Sequence, residues 1–143
     1  MNTLYVSDLD GTLLNSNSQL SEESEEIINS LVKKGLKFTY ATARSFSSAS
    51  KILDGLQLSI PAITYNGAFF VEADNGKIIY STSFSYDQIK YISRIFIEYK
   101  VYPLVYSLLE DKEWVSWIRG KENYIQVMYS ILQSLVEKIN WNY

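Results

Sequence analysis

The sequence predicts an α/β fold in which a parallel sheet carries helices on its faces. Residues 4–6 form a short apolar run that is followed at once by acids and a glycine, which is typical of a buried parallel strand that stops at a polar loop. Apolar runs then alternate with segments of helical periodicity over residues 20–65, which is the pattern of strand-helix-strand units. With 143 residues, 47% of them hydrophobic, the chain is long enough for one domain, or one and a part.

Residues 20–35 carry a complete set of helix signals. Ser21 is the predicted N-cap, glutamates fill the first turn, lysines fill the last turn, and Gly35 marks the end. The apolar residues expected on the buried face are Ile27, Ile28, Leu31 and Val32. A strand over residues 36–42 completes the crossover, so we expect it to lie parallel to the first strand.

A second crossover follows. A helix is predicted over residues 45–55, and it leads into a third strand at 62–65 that ends at Asn66 and Gly67. The apolar positions of this helix are Ala49, Ile52, Leu53 and Leu56. All three strands should then deliver their carboxyl ends to the same edge of the sheet, where open α/β sheets bind their ligands.

Beyond the third strand the pattern changes. Residues 69–72 and 77–80 flank the turn sequence Asp74-Asn75-Gly76, which predicts a β-hairpin. The later elements are expected to be a helix over 85–100 that begins at Ser85, strands over 101–109 (interrupted by Pro103) and 114–118, and a helix over 123–139. The residues expected to face inward on the 85–100 helix are Ile89, Ile92, Ile95, Phe96 and Tyr99.

Composition excludes several classes of function. The chain has neither histidine nor cysteine, so it can build no Ser-His-Asp triad, His-based metal site, disulfide or thiolate centre. Its 13 basic and 16 acidic residues give a net charge of −3, which lacks the basic footprint of a nucleic-acid binder. We find no apolar stretch of membrane-spanning length and no secretory signal, so we expect no membrane partner and a cytoplasmic location.

The acids that follow the first strand are the main candidates for chemistry. Asp8 and Asp10 are two residues apart in an extended segment, so their side chains should point the same way. Two acids that close need a cation or a shared proton to coexist. One would suit a nucleophile and the other an acid/base, with a hard cation taking oxygen ligands. The alternative is an ordinary solvated turn.

Polar residues also follow the second and third strands. Thr42 offers a hydroxyl, and the backbone amides of Ala43, Arg44 and Ser45 open the next helix, whose N-terminus favours an anion. The alternative for Thr42 is that it only caps that helix. Asn66 and its following glycine either join the site or form an ordinary turn. The side chain of Arg44 either touches a substrate or pairs with a surface acid.

These segments resemble known motifs. Residues 8–14 closely resemble the first motif of the haloacid dehalogenase-like (HAD) hydrolases. Residues 40–44 are similar to the second motif of the Cof-type HAD phosphatases, with Ala43 in place of the usual glycine, and Asn66-Gly67-Ala68 is similar to a third Cof-type step. The resemblance implies a HAD-like Rossmannoid core over residues 1–81 and the beginning of an α/β cap domain over residues 82–143.

The resemblance also implies a function, which is Mg²⁺-dependent hydrolysis of a small phosphorylated metabolite through an aspartyl-phosphate. Asp8 would be the nucleophile and Asp10 the acid/base, and both would hold Mg²⁺. The residues implied to bind phosphate are Gly11, Thr12, Thr42, Ala43, Asn66 and Gly67, and Arg44 would lie on the substrate side.

Two parts of the family pattern are not identifiable in the sequence, namely a third-motif lysine and a fourth-motif acidic cluster. Glu110-Asp111-Lys112 could mimic both, although acids between two strands usually mark a hairpin turn. The alternative function is therefore an incomplete fragment or remnant that serves as a binding or assembly module, with residues 4–7 as an exposed sheet edge open to self-association. Nucleotide-sugar transfer, in which an Asp-x-Asp pair binds a divalent ion, is a further enzymatic alternative.

Overall fold

The structure, a computed structural model, describes residues 3–109, 112–118 and 120, and the chain divides into two compact units, Met1–Ser83 and Phe84–Tyr143. The elements of the first unit are β1 (Leu4–Ser7), α1 (Glu22–Lys33), β2 (Lys37–Tyr40), α2 (Phe46–Ile52), β3 (Ala62–Thr64), β4 (Phe69–Val71) and β5 (Ile78–Ser81). Those of the second unit are α3 (Tyr86–Glu98), β6 (Val105–Leu109) and β7 (Lys112–Ser116). The helix predicted over 123–139 lies outside the described residues.

The first crossover forms as predicted. β1 and β2 are parallel, with Leu4 opposite Lys37 and Ser7 opposite Tyr40, and α1 connects them. The side chain of Ser21 accepts a hydrogen bond from the Ser24 amide at 3.2 Å, so it caps α1. The predicted α/β fold class is confirmed by this parallel pair and its helix.

The third strand joins the sheet differently from the prediction. Ala41 and Ile63 form a single parallel bridge, whereas the main partner of β3 is β4, which runs antiparallel to it. β4 in turn pairs antiparallel with β5, which confirms the predicted hairpin. The antiparallel partner occupies most of β3 because the chain returns directly through the turn at Tyr65–Gly67.

The core of the first unit lies where α2 and the strands meet. Its buried members are Leu9, Leu14, Tyr40, Ala49, Leu53, Ala62 and Val71. Burial raises the pKa of Tyr40 to about 12, because the charged phenolate would lose its contact with water in the core. Leu9 is fully buried although it stands between two exposed aspartates. The acidic loop is therefore anchored by the core.

The predicted buried faces of two helices are only partly right. On α1, Ile28 is buried, but Ile27 and Leu31 keep 52% and 41% of their surface exposed. On α3, Ile89 is 51% exposed, and Tyr99, which follows the helix as its C-cap, is 69% exposed. Apolar periodicity shows which face of a helix can be buried, whereas the surface lying opposite decides how much of it is covered.

Strand β1 lies at an edge. Within the described part of the chain it pairs with β2 alone. Leu4, Tyr5 and Val6 each keep about half of their surface exposed, at 49%, 51% and 48%. An apolar edge strand is a template for pairing with another chain, so self-association through β1 stays a prediction.

The second unit contains one helix and one hairpin among its described residues. Ser85 caps α3 in a capping box with Gln88. β6 and β7 are antiparallel, with Leu109 opposite Lys112. β6 begins at Val105, later than predicted, because Pro103 lacks an amide hydrogen and disfavours the ladder. β7 begins two residues earlier than predicted, and residues 110 and 111 lie outside the described residues.

No helix among the described residues combines the length and apolar character that crossing a membrane requires.

We expect Leu9→Ala to lower the free energy of unfolding by about 2–5 kcal/mol, the usual cost of truncating a fully buried leucine. The matched control is Leu31→Ala on α1, where 41% of the side chain is already exposed and the loss should be less than half as large. Urea denaturation followed by circular dichroism measures both. Equal losses would contradict the burial of Leu9.

Candidate active site

The turn after β1 presents two carboxylates. Leu9–Leu13 form one wide turn, closed by a 2.9 Å hydrogen bond from the Leu14 amide to the Leu9 carbonyl. Asp8 and Asp10 both have extended backbone angles and exposed side chains, whereas Leu9 between them is buried. Gly11 has a φ of +76°, a left-handed conformation that favours glycine. The loop therefore changes direction directly after the second acid, and the chain re-enters the core at Leu14.

Backbone hydrogen bonds bring the three strand ends together. The Ala41 amide donates to the Ser7 carbonyl, and the Thr42 amide donates to the Ile63 carbonyl, both at 2.9 Å. The Asn66 amide donates to the Thr42 carbonyl, also at 2.9 Å. The loops that contain Asp8, Thr42 and Asn66 consequently share one edge of the sheet, as the crossover pattern predicts.

Thr42 does not cap the following helix. Ser45 is the N-cap of α2, and its hydroxyl accepts from the Ser48 amide at 3.2 Å. Thr42 is 4% exposed, and its hydroxyl oxygen accepts from the Arg44 amide at 3.2 Å. This bond fixes the hydroxyl oxygen of Thr42. The hydrogen of the same hydroxyl can then be donated to a ligand. The Arg44 amide, predicted to face an anion, is instead committed to Thr42.

Arg44 makes the most specific side-chain contact of the site. Its Nε donates to Asp10 Oδ2 at 2.8 Å, and its Nη2 donates to Asp10 Oδ1 at 2.5 Å. The hydrogen bond from Arg44 and its positive charge lower the pKa of Asp10 below its ordinary value, against a smaller opposing effect of burial. Of the two predicted alternatives for Arg44, pairing with an acid describes this structure, and the acid belongs to the site.

The other predicted phosphate-binding residues lie in the loops that follow β1, β2 and β3. Thr12 donates from its hydroxyl to Asp8 Oδ2 at 3.3 Å. Gly11, Ala43 and Asn66 are exposed, and Gly67 is half-buried at the turn after β3. Ser48 was not predicted, yet its hydroxyl accepts from Arg44 Nη1 at 3.5 Å. Ser48 lies about one helical turn after Arg44, and no motif in the sequence marks it as a candidate site residue.

The turn after β3 has an unusual backbone. Tyr65, Asn66 and Gly67 all have positive φ, at +49°, +54° and +92°. Asparagine and glycine adopt this conformation readily, whereas a tyrosine does so rarely. The Tyr65 amide donates to the Arg44 carbonyl at 3.1 Å, which ties the strained turn to the loop after β2.

Comparison with known proteins shows which family the chain belongs to. A family model for haloacid dehalogenase-like hydrolases matches residues 5–142. The 5-amino-6-(5-phospho-D-ribitylamino)uracil phosphatase of Bacillus subtilis is 30% identical over 109 residues, which are 76% of this chain and 40% of that protein. The chain spans between 24% and 48% of the length of the curated relatives it matches.

Solved structures share the fold. A phosphatase of the HAD enzyme superfamily from Bacteroides thetaiotaomicron gives a TM-score of 0.68 at 22% identity, covering 93% of this chain and 47% of its own. A crystal structure from Thermotoga maritima gives a TM-score of 0.64 at 25% identity, covering 94% of this chain and 48% of its own.

Replacing Arg44 should change the titration of Asp10. In Arg44→Ala we expect the pKa of Asp10 to rise towards its ordinary value, because the charged form loses its guanidinium partner. Carbon-detected NMR of the Asp10 carboxyl during a pH titration measures this shift.

The same pair has a consequence for stability. A lowered pKa of Asp10 stabilises the folded chain at pH values above the ordinary carboxyl pKa, and this stabilisation is lost as the pH falls through the pKa of the folded state.

The control for the titration experiment is Arg94→Ala on α3, which should leave the Asp10 titration unchanged. An unaltered Asp10 titration in Arg44→Ala would show that the ion pair does not form in solution.

Proposed function

The chain belongs to the haloacid dehalogenase-like hydrolase family, and from this membership we propose that the site at Asp8 and Asp10 performs Mg²⁺-dependent hydrolysis of a small phosphorylated metabolite. One observation carries the proposal. Two exposed carboxylates follow β1 at the edge where Thr42 and Asn66 are joined by a backbone hydrogen bond. This arrangement combines acids for phosphoryl transfer with a hydroxyl and amides for the phosphate.

Asp8 is the proposed nucleophile. Its exposed carboxylate can approach a phosphorus atom from solvent, and the Thr12 hydroxyl at 3.3 Å helps to orient it. An oxygen of Asp8 bonds to phosphorus as the bond to the ester oxygen breaks, which leaves an aspartyl-phosphate. Water then attacks this phosphorus, releases inorganic phosphate and restores the carboxylate.

Asp10 is the proposed acid/base. It gives a proton to the ester oxygen that leaves in the first step, and it removes a proton from the attacking water in the second. The two roles balance, because the proton lost in one step is regained in the other. Its position two residues after Asp8, with an exposed side chain like that of Asp8, suits both roles.

The phosphoryl oxygens would be held by short polar groups of the three loops. Thr42 is the best placed, since its hydroxyl oxygen already accepts the Arg44 amide and its proton can point outward. The other proposed contacts are Gly11, Thr12, Ala43, Asn66 and Gly67. Positioning and neutralisation of charge supply most of the catalysis in phosphoryl transfer.

The donor set suits Mg²⁺. This ion prefers oxygen ligands, and it is usually held by one or two carboxylates together with waters and phosphate. Asp8 and Asp10 would hold it, and it would supply positive charge against the phosphoryl oxygens. Among the described residues, no group of three or more acids is arranged to hold a metal ion, so the proposed protein ligands number two.

Substrate choice is proposed to lie in the second part of the chain. We assign residues 1–81 to the core and 82–143 to the start of an α/β cap. The similar Bacillus subtilis protein is a phosphatase for a phosphorylated ribitylamino-uracil, which supports a small phosphorylated metabolite as the substrate class. A cytoplasmic location, where such metabolites occur, is part of the same proposal.

A second candidate function is a binding or assembly module without turnover. The pair of carboxylates lacks a third acid among the described residues, and this observation favours it. Such a module would bind phosphate and Mg²⁺ at the same loops but would not complete hydrolysis.

We expect the chain to hydrolyse a generic aryl phosphate only when Mg²⁺ is present, and Asp8→Asn to reduce the rate to background because an amide cannot attack phosphorus. Initial rates of nitrophenol release with and without Mg²⁺ measure this. Activity that survives Asp8→Asn would remove Asp8 as nucleophile. Phosphate binding without any turnover would favour the binding module.

Thr42→Val should weaken substrate binding. Valine keeps the shape of the side chain but removes the hydroxyl, so we expect KM to rise by about ten- to a hundredfold, the cost of a hydrogen bond to a charged group. The matched control is Thr39→Val on β2, because the Thr39 hydroxyl is already occupied by a 2.8 Å hydrogen bond to the Pro61 carbonyl. A KM that rises equally in both variants would argue against a phosphate contact at Thr42.

A further inference from the structure

Arg44 connects the two halves of the proposed site. Its backbone amide donates to the Thr42 hydroxyl, and its guanidinium holds both oxygens of Asp10. A single residue therefore touches the proposed phosphate-binding group and the proposed acid/base. A role for Arg44 in coupling these two groups rests on the proposed function, because that function assigns each group its part in the reaction.

The backbone of Arg44 is held, whereas its side chain can exchange partners. The amide is bonded to Thr42, and the carbonyl accepts from the Tyr65 amide at 3.1 Å. The guanidinium pair with Asp10 is partly exposed, with 26% of the Arg44 side chain and 50% of the Asp10 side chain accessible. Water reaches both partners of a pair of this exposure, so an anionic ligand can compete with the carboxylate for the guanidinium.

We propose that Arg44 is a mobile cation of this site, which pairs with Asp10 in the empty site and moves to a phosphoryl oxygen when phosphate binds at Thr42. A guanidinium can bind either a phosphate or a carboxylate, because each of these groups presents two oxygens that accept hydrogen bonds from its paired N–H groups. The move frees the Asp10 carboxyl to take up a proton from solvent, which it gives to the ester oxygen in the first step and regains from water in the second. Arg44 is thus a positioning residue for Asp10 and a ligand of the bound phosphate.

The side-chain Nε–H resonance of Arg44 tests this directly. The chain has three arginines, Arg44, Arg94 and Arg119, so the resonances can be assigned one by one. We expect the Arg44 signal to shift when inorganic phosphate is added, together with the Thr42 amide signal, while the Arg94 signal does not move. In Asp10→Asn the Arg44 signal should lie away from its wild-type position before phosphate is added.

The outcomes separate the mobile role of Arg44 from the proposed function. A Thr42 amide that responds to phosphate while the Arg44 signal stays constant would overturn the mobile role of Arg44 and leave the phosphate site intact. If neither signal responds at saturating phosphate, the phosphate site itself fails, and the role of Arg44 fails with it.

A double-mutant cycle gives a second readout. In Asp10→Asn we expect inorganic phosphate to bind about two- to fivefold more tightly, because Arg44 no longer has to leave a carboxylate. Arg44→Ala should weaken phosphate binding more in the Asp10→Asn background than in wild type, as measured by titration calorimetry. Equal losses in both backgrounds would mean that the two residues act independently, which contradicts the proposal.

Arg44→Lys separates charge from shape. Lysine keeps the positive charge but cannot bond two oxygens through a planar fork. We expect its phosphate affinity to fall between those of wild type and Arg44→Ala. Affinity equal to Arg44→Ala would contradict a charge that moves to the phosphate.

Discussion

The candidate site depends on the backbone hydrogen bonds that join the ends of β1, β2 and β3. The Ser7 carbonyl binds the Ala41 amide, and Thr42 is bonded through its amide to Ile63 and through its carbonyl to Asn66. Hydrogen bonds between main-chain groups do not depend on which side chains the bonded residues carry. The topology therefore sets the distance between the three loops, and the sequence decides only which chemical groups they present.

In the loop after β1, a buried apolar side chain stands directly between two charged side chains that remain in solvent. Leu9 is fully buried, and its place in the core forces the aspartates on either side of it towards solvent. The fork of Arg44 then places a positive charge against the second of these carboxylates, Asp10. Because the pair is partly exposed, water and anions can reach the guanidinium, which is the condition for exchange with a phosphate.

Local patterns predicted the elements well, since caps and turns are determined by residues near in sequence. Ser21 and Ser85 cap their helices, and the hairpin after β3 forms as predicted. The pairing of Arg44 with Asp10 joins residues 34 positions apart, so only the folded chain shows which acid the arginine meets. The exposure of Leu31 has the same cause, because periodicity does not report the surface opposite a helix.

The strained turn after β3 gives a reason to regard this edge as more than a set of connections. An asparagine and a glycine explain part of the left-handed backbone, but Tyr65 at a φ of +49° is held there by other forces. Its amide is bonded to the Arg44 carbonyl, and its ring packs edge-on against Phe69 with centroids 5.3 Å apart. Such strain persists where the surroundings determine the geometry more strongly than local preference does. The next amide along the turn, that of Asn66, donates to the Thr42 carbonyl, so two successive bonds to the loop after β2 hold the turn and set the position of the third loop.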